Sequence, residues 1–131
     1  MSQENIEIVR RVYEAMNARD VEGAAELVHR DVIWIPDSRV GEGPIRGRAN
    51  VIRFFTDRAE VFGQLDAEVE GFWDKDDKVL VFVRVTGRGQ ASGAEFEIRI
   101  GHLWTLRDGL MVRGEGYGDR SEALEAAGVG G

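Results

Sequence analysis

Residues 96–117, FEIRIGHLWTLRDGLMVRGEGY, carry the clearest structural pattern in this chain. Every second side chain from Phe96 to Trp104 is apolar or aromatic, which is the pattern of a strand with one buried face. The stretch 107–109, Arg-Asp-Gly, predicts a three-residue hairpin loop in which Gly109 takes the left-handed conformation. The stretch therefore predicts two long antiparallel strands joined by a tight turn.

The loop length sets the register of this hairpin. A three-residue loop pairs Leu106 with Leu110 and puts His102 opposite Gly114, and directly opposed side chains lie on the same face of a sheet. One face then carries Ile98, Ile100, His102, Trp104, Val112, Gly114, Gly116 and Gly118. The other face carries Arg99, Leu103, Thr105, Met111, Arg113, Glu115 and Tyr117.

The three alternate glycines on the first face need an explanation, because glycine weakens a strand and contributes no side chain to packing. One interpretation is that Gly114 and Gly116 leave a hollow for a ligand beside His102. The other is that they make room for a closely packed helix or for a bulky neighbour such as Trp34 or Trp104. The pattern alone does not decide between the two.

Working outward from this hairpin, the remaining periodicities predict an α+β protein. Apolar residues at helical spacing alternate with turn residues in the first half, whereas the second half reads as strands. Helices over one face of a curved antiparallel sheet are the natural arrangement for this order. The length of 131 residues suits a single domain, 1–131. The predicted helices are 2–18, 20–28, 48–62 and 119–127, and the predicted strands are 32–35, 65–73, 79–86, 96–106 and 110–117.

Composition excludes several classes of function. The chain has no cysteine, so disulfides, thiol catalysis and iron–sulfur clusters are ruled out. Its net charge of −7 argues against nucleic acid and against anionic membrane surfaces as partners. The longest apolar run, 79–83, is too short to span a bilayer, and no apolar signal region opens the chain. We expect a cytoplasmic protein, and no motif indicates a metal or another cofactor.

Four segments carry a resemblance to a known family. They are YEAMNARD at 13–20, DVIW at 31–34, IRGR at 45–48 and HLWTLRDG at 102–109. With the order of elements, they resemble the SnoaL-like proteins of the nuclear-transport-factor-2-like (NTF2-like) superfamily, which includes polyketide cyclases, ketosteroid isomerases and limonene epoxide hydrolases. The resemblance implies a cone that encloses an apolar pocket, and a homodimer formed through the opposite, convex face of the sheet.

The resemblance also implies candidate catalytic residues. On its own, a histidine on an apolar strand face is most often a core residue bonded to a tyrosine or to a backbone group. The resemblance implies a different role, because His102 occupies a strand position that holds a polar pocket group in the steroid isomerases and the cyclases, so we expect it to contact a substrate oxygen. The general-base position of the isomerases is occupied here by Pro36, and the last-strand acid of the cyclases by Gly116. Asp37, one residue beyond Pro36, is the remaining candidate for a base, with a turn-forming aspartate as the alternative.

The rest of the expected pocket is apolar. Large side chains of the first and third helices, of the first strand and of the concave sheet face would form its wall. The expected pocket residues are Tyr13, Met16, Trp34, Phe55, Val83, Ile100, Trp104, Gly114 and Gly116.

Three functions stay open on this basis. The first is a cofactor-independent acid–base enzyme, of the isomerase, cyclase or hydrolase type, acting on an apolar carbonyl- or epoxide-bearing substrate. His102 would polarise the oxygen, and a water molecule or Asp37 would act as the base. The second is a non-catalytic binder of an apolar small molecule. The third is a dimeric accessory domain with a filled core. A cavity of a few hundred Å³ that reaches His102 would exclude the third.

Overall fold

A computed structural model describes residues 2–37, 39, 41–61, 64–88 and 92–128. No helix in these ranges is long and apolar enough to cross a membrane. The helices and the long strands follow the predicted order, and most of these strands are a few residues longer than predicted. Two differences are that a short strand, β2, forms at 45–46 where no strand was predicted, and that the second helix ends at Ala25, so Val28 belongs to the first strand. They are α1 Ser2–Asn17, α2 Val21–Ala25, β1 Val28–Ile35, β2 Ile45–Arg46, α3 Arg48–Val61, β3 Gln64–Lys75, β4 Lys78–Arg88, β5 Glu95–Arg107, β6 Leu110–Tyr117 and α4 Arg120–Ala126.

The strands form one mixed, curved sheet of six strands in the order β2-β1-β6-β5-β4-β3. The antiparallel pairing predicted for the last four strands is confirmed. The sequence did not indicate that β1 joins the sheet parallel to β6, with Trp34 beside Gly114. This pairing brings the first half of the chain against the last strand, and it places Trp34 on the same face as His102.

The predicted register of the β5–β6 hairpin is wrong. Arg107 pairs with Leu110, which leaves a two-residue loop. Asp108 and Gly109 both have positive φ, +52° and +80°, as a type I′ turn requires. The register then shifts once more between Thr105 and Leu106, where the ladder skips a residue of β6 in the manner of a β-bulge. In consequence His102 faces Gly116 rather than Gly114, and Trp104 faces Gly114.

Because of these two shifts, the residues of β6 that precede the bulge lie on the opposite face of the sheet from the one predicted. Before the bulge, Met111 pairs with Leu106, and both side chains are buried in the main core. Met111 therefore does not belong to the convex face, where the three-residue loop had put it. Beyond the bulge the two shifts cancel, so Gly114 and Gly116 still share the face of His102 and Trp104.

The concave face of the sheet carries the main core. Helices α1 and α3 pack on it through alternating apolar positions such as Val9, Val12 and Val51, against valines of β4. The short helix α2 begins at its predicted N-cap, Asp20, whose side chain accepts a hydrogen bond from the Gly23 N–H at 3.0 Å. The core is not filled at the end of the sheet where α1, α2 and α3 meet, and the cavity lies there.

Helix α4 covers part of the convex face. Its Ala123 lies against Gly101, and the two belong to a second apolar region with Leu80 and Leu103. Leu103 is 1% exposed, so it is not available to a partner chain as predicted. The N-terminus of α4 is capped by Asp119, as predicted, through a 2.7 Å bond from the Ser121 N–H.

Candidate functional site

A cavity of about 350 Å³ opens between the helices and the concave face of the sheet. Its wall is apolar except for a few groups, and its exposed side is formed by the end of α1 and the start of α2. Volumes of this order are typical of small-molecule sites. The lining residues are Val12, Tyr13, Met16, Asn17, Arg19, Val21, Ala24, Val28, Val51, Ile52, Phe55, Thr56, Ala67, His102, Trp104 and Met111.

Two tryptophans meet over a glycine at the closed end of this site. Gly114 lies between Trp34 on β1 and Trp104 on β5, and the two ring centroids are 5.1 Å apart. A Cβ at Gly114 would lie 2.6 Å from Trp34 Cε3, and one at Gly116 would lie 2.9 Å from Trp34 Cζ2. The glycines therefore make room for the tryptophan rings. The interpretation that they leave a hollow for a ligand is wrong.

A hydrogen-bonded chain of three side chains forms the polar part of the cavity. The Trp104 indole N–H lies 2.9 Å from the Tyr13 hydroxyl, and that hydroxyl lies 2.6 Å from His102 Nδ1. Indole nitrogen can only donate, so the Tyr13 oxygen accepts from Trp104. The single phenol proton is then free to be donated to His102 Nδ1, and the donors run in one direction, from Trp104 through Tyr13 to His102.

Burial keeps the His102 imidazole neutral. The residue is 8% exposed, and desolvation lowers its pKa to about 4. Burial also raises the pKa of Tyr13, so the phenol stays protonated. A neutral imidazole that accepts at Nδ1 carries its proton on Nε2. No described residue forms a hydrogen bond with Nε2, and His102 lines the cavity. The site thus offers the Nε2–H of His102 as a donor from a buried, neutral imidazole.

Five of the predicted site residues lie together on the cavity wall: Tyr13, Met16, Phe55, His102 and Trp104. The other predicted wall residues lie behind it. Val83 is fully buried in the core, Ile100 packs against the same core, and Trp34 fills the space over the glycines. Trp34 still shapes the site, because its ring meets that of His102 edge to face at 5.0 Å. Gly114 and Gly116 are covered by that ring.

The structure does not bring Asp37 into the cavity. Its Oδ2 accepts a 2.5 Å hydrogen bond from the Gly118 N–H, and its Oδ1 accepts one of 2.8 Å from the Arg39 N–H. These bonds, with the Arg39 guanidinium, lower the pKa of the carboxyl. A carboxylate held this way ties the end of β1 to the end of β6. This is closest to the alternative of a turn-forming aspartate.

Several lining residues were not foreseen from the sequence. Met111 was missed because the turn type was misjudged, although Asp108-Gly109 is itself the commonest signal of a two-residue hairpin turn. Asn17 and Ala67 come together because the Asn17 amide donates to the Ala67 carbonyl at 2.7 Å and accepts from the Ala67 N–H at 3.4 Å. This contact joins the end of α1 to the edge strand β3, and no sequence pattern signals it.

A metal centre finds no support in the donor set of this region. Across the described ranges no group of three or more His, Cys, Asp or Glu side chains is arranged to hold a metal ion. Among the described residues that line the cavity, His102 is the one with such a side chain, and its Nδ1 is already bonded to Tyr13. The polar groups on this mostly apolar wall are hydrogen-bond donors and acceptors, with one guanidinium at Arg19.

Comparison with solved structures defines the class of protein as NTF2-like. TerC, crystallised with polyporic acid, is 28% identical, covers 93% of this chain and 96% of its own, and superposes with a TM-score of 0.80. A provisionally assigned SnoaL-like polyketide cyclase from Jannaschia sp. CCS1 is 22% identical over 96% of this chain and 92% of its own, with a TM-score of 0.80. A protein of ketosteroid isomerase-like fold from Catenulispora acidiphila, in complex with trimethylamine, is 15% identical over 94% of this chain and 93% of its own. It superposes with a TM-score of 0.75.

Within this class the family follows from the sequence itself. Residues 9–114 match the SnoaL-like domain family, and the chain belongs to that family. The match covers both sides of the cavity, from α1 through β5 to Gly114 of β6. No curated protein matches the chain significantly.

Proposed function

We propose that the cavity binds an apolar, carbonyl-bearing small molecule whose oxygen accepts a hydrogen bond from His102 Nε2. The observation that carries this is the chain Trp104–Tyr13–His102, which directs the remaining proton of His102 to Nε2 on a wall that is mostly apolar. A ligand carbonyl oxygen placed in an apolar cavity without a donor costs about 1–3 kcal/mol, so the Nε2–H favours a ligand whose oxygen it can reach. The cavity volume of about 350 Å³ speaks against an accessory domain with a filled core.

The low basicity of His102 favours binding over proton abstraction. With a pKa near 4 the imidazole is a weak base at neutral pH, and no carboxylate lies among the described lining residues. The likeness to TerC, which was crystallised with polyporic acid, supports a small organic ligand.

A catalytic version of the same site is the second candidate, and the direction of the hydrogen-bond chain favours it. Donation from Trp104 through Tyr13 supports His102 as a group that polarises a carbonyl or epoxide oxygen, as an isomerase, cyclase or hydrolase would need. A water molecule would act as the base, because both oxygens of Asp37 are engaged elsewhere. Turnover in this case would require His102, and His102→Ala is expected to reduce it at least about 100-fold.

The binding proposal is tested with a matched pair of ligands, benzophenone and diphenylmethane, which differ in the carbonyl group. Calorimetry is expected to give tighter binding of the ketone, and His102→Ala should weaken the ketone about 10- to 100-fold, the equivalent of one lost hydrogen bond. Diphenylmethane should bind both proteins equally. His29→Ala, which removes the other histidine from β1 outside the cavity wall, is the control.

Two results would overturn the binding proposal. One is equal affinity of the two ligands for the parent protein. The other is a preference for the ketone that survives His102→Ala. Circular dichroism of the variant checks that its fold is intact.

We also propose that two chains pair through the part of the convex face that α4 leaves open. The resemblance to the family suggested this, and arginine and tyrosine, which are enriched at interfaces, lie there at Arg99, Arg113 and Tyr117. Sedimentation of the parent protein at micromolar concentration is expected to show a dimer. The double variant Arg99→Glu with Arg113→Glu is expected to be a monomer. A monomeric parent protein would contradict the proposal.

A further inference from the structure

Helix α1 ends in a motif that usually contains glycine. The Asp20 N–H donates to the Ala15 carbonyl at 2.8 Å, and the Arg19 N–H donates to the Met16 carbonyl at 3.1 Å, which together form a Schellman motif. The residue after the helix cap, Arg19, has φ +63°. A β-carbon is unfavourable in this left-handed conformation, and glycine is the common choice there. Arg19 therefore occupies a position that local backbone preference would give to glycine.

The side chain at this position lines the cavity. Arg19 is exposed, and it lies on the open side of the cavity next to Asn17 and Val21. Among the lining residues that the structure describes, Arg19 is the one with a formal charge. That charge is positive, although the whole chain carries −7. A strained residue on the wall of a candidate site is a reason to look for a role of its side chain.

We infer that Arg19 is a specificity-determining residue, which binds an acidic group of the ligand at the mouth of the cavity. This rests on the proposed function: the ligand is an apolar molecule with an oxygen toward His102 and an anionic group toward Arg19. A guanidinium is well suited to a carboxylate, because its planar donors match the two carboxylate oxygens. The substrate class is thereby narrowed from apolar carbonyl compounds to apolar keto acids and related acidic molecules.

A purely structural role for Arg19 makes a different prediction. The Arg19 guanidinium lies 3.4 Å from the Met16 carbonyl, and a cation near a helix C-terminus stabilises the helix. If the role of Arg19 were only structural, replacing it would leave the ligand preference unchanged. If Arg19 serves the ligand, both Arg19→Gln and Arg19→Gly remove the preference for an acid, and the relief of the left-handed backbone in Arg19→Gly is a separate effect on stability.

The experiment compares 4-benzoylbenzoate with its methyl ester, two aryl ketones that differ in one negative charge. Calorimetry on the parent protein is expected to give about fivefold tighter binding of the acid, which is the upper range for an exposed ion pair. Arg19→Gly and Arg19→Gln should both abolish this preference. Arg19→Gly alone should also raise Tm by about 3 °C, since glycine suits the cap. Arg11→Gln, which removes an exposed charge of α1 outside the cavity wall, should leave the preference intact.

The outcomes separate this inference from the proposed function. If the ester binds in a manner that depends on His102 but the acid gains nothing over it, the role of Arg19 is refuted and the proposed function stands. The inference is equally refuted if the preference for the acid survives Arg19→Gln or disappears in Arg11→Gln. If neither compound binds, both are refuted.

Discussion

Gly114 lies between two tryptophan rings, and this arrangement explains why β6 accepts glycine at alternate positions. Trp34, Gly114 and Trp104 are adjacent across β1, β6 and β5, so a side chain at the middle position would collide with both rings. Sequence reasoning identified the rings and the glycines as neighbours. It could not decide whether the space between them is empty, because β1 had not been paired with β6.

At the residue scale, Gly114→Ala is expected to destabilise the protein by about 2–3 kcal/mol, the usual cost of overpacking a rigid core. The added Cβ would lie 2.6 Å from Trp34 Cε3. Gly43→Ala is the control, because nothing lies within 4 Å of a Cβ built there. The measurement is urea unfolding at pH 7. Equal stability of the two variants would mean that the tryptophans do not fill this space.

The residues of the cavity wall were predicted best where helical or strand periodicity carries them. Tyr13 and Met16 share the inward face of α1, and Phe55 has the same position on α3. Val83 and Ile100 also face inward, but lie where the core is filled. The periodicity of a strand indicates its buried face, and it says nothing about where along that face a void remains.

At the element scale, the turn of the β5–β6 hairpin decides which residues of β6 face inward. A loop of two residues instead of three moves Met111 from the convex face to the cavity, since a shift of one residue reverses the faces of a strand. The bulge that follows restores the original faces for the glycines. The two errors in register therefore compensate at Gly114 and Gly116 and not at Met111.

The docking of α4 on the convex face depends on Gly101. A Cβ at this position would lie 2.6 Å from Ala123 Cβ, so Gly101→Ala is expected to cost about 1–3 kcal/mol by pushing the helix away. The double variant Gly101→Ala with Ala123→Gly should recover much of this loss, because removing the Ala123 methyl group makes room for the methyl group added on the strand. Unfolding free energies of the four proteins in this cycle measure the coupling. An additive result would show that α4 does not approach the sheet so closely.

At the scale of the whole molecule, burial of His102 links stability to pH. The pKa of His102 is about 4 in the folded protein against an ordinary value near 6.5, so the unfolded chain binds the proton more readily. The stability that this pKa shift contributes is therefore fully present above about pH 6.5 and is lost as the pH falls toward 4. Tyr13, the titratable side chain bonded to His102, stays protonated throughout because burial raises its pKa.

We expect the unfolding free energy to fall by about 2–3 kcal/mol between pH 7 and pH 4.5, about 1.4 kcal/mol for each pH unit below 6.5. Urea titrations at both pH values give the measurement. His102→Gln removes the titrating group, so the variant should lose much less. The lowered pKa of Asp37 acts in a lower range, because its stabilisation is lost only as the pH falls below its ordinary value near 3.9. An unchanged slope in His102→Gln would contradict this assignment.

Sequence patterns alone predicted the order of the helices and long strands, the antiparallel pairing of the last four strands, the family and the inward position of His102. These follow from local periodicity, turn residues and short motifs, which act over a few neighbouring residues. Long-range packing set the parallel pairing of β1 with β6, the Trp104–Tyr13–His102 chain and the place of Arg19 on the cavity wall. Each of these joins residues that are far apart in the chain or depends on where packing leaves a void. Packing of distant side chains has no periodicity of its own, so no local pattern could have indicated it.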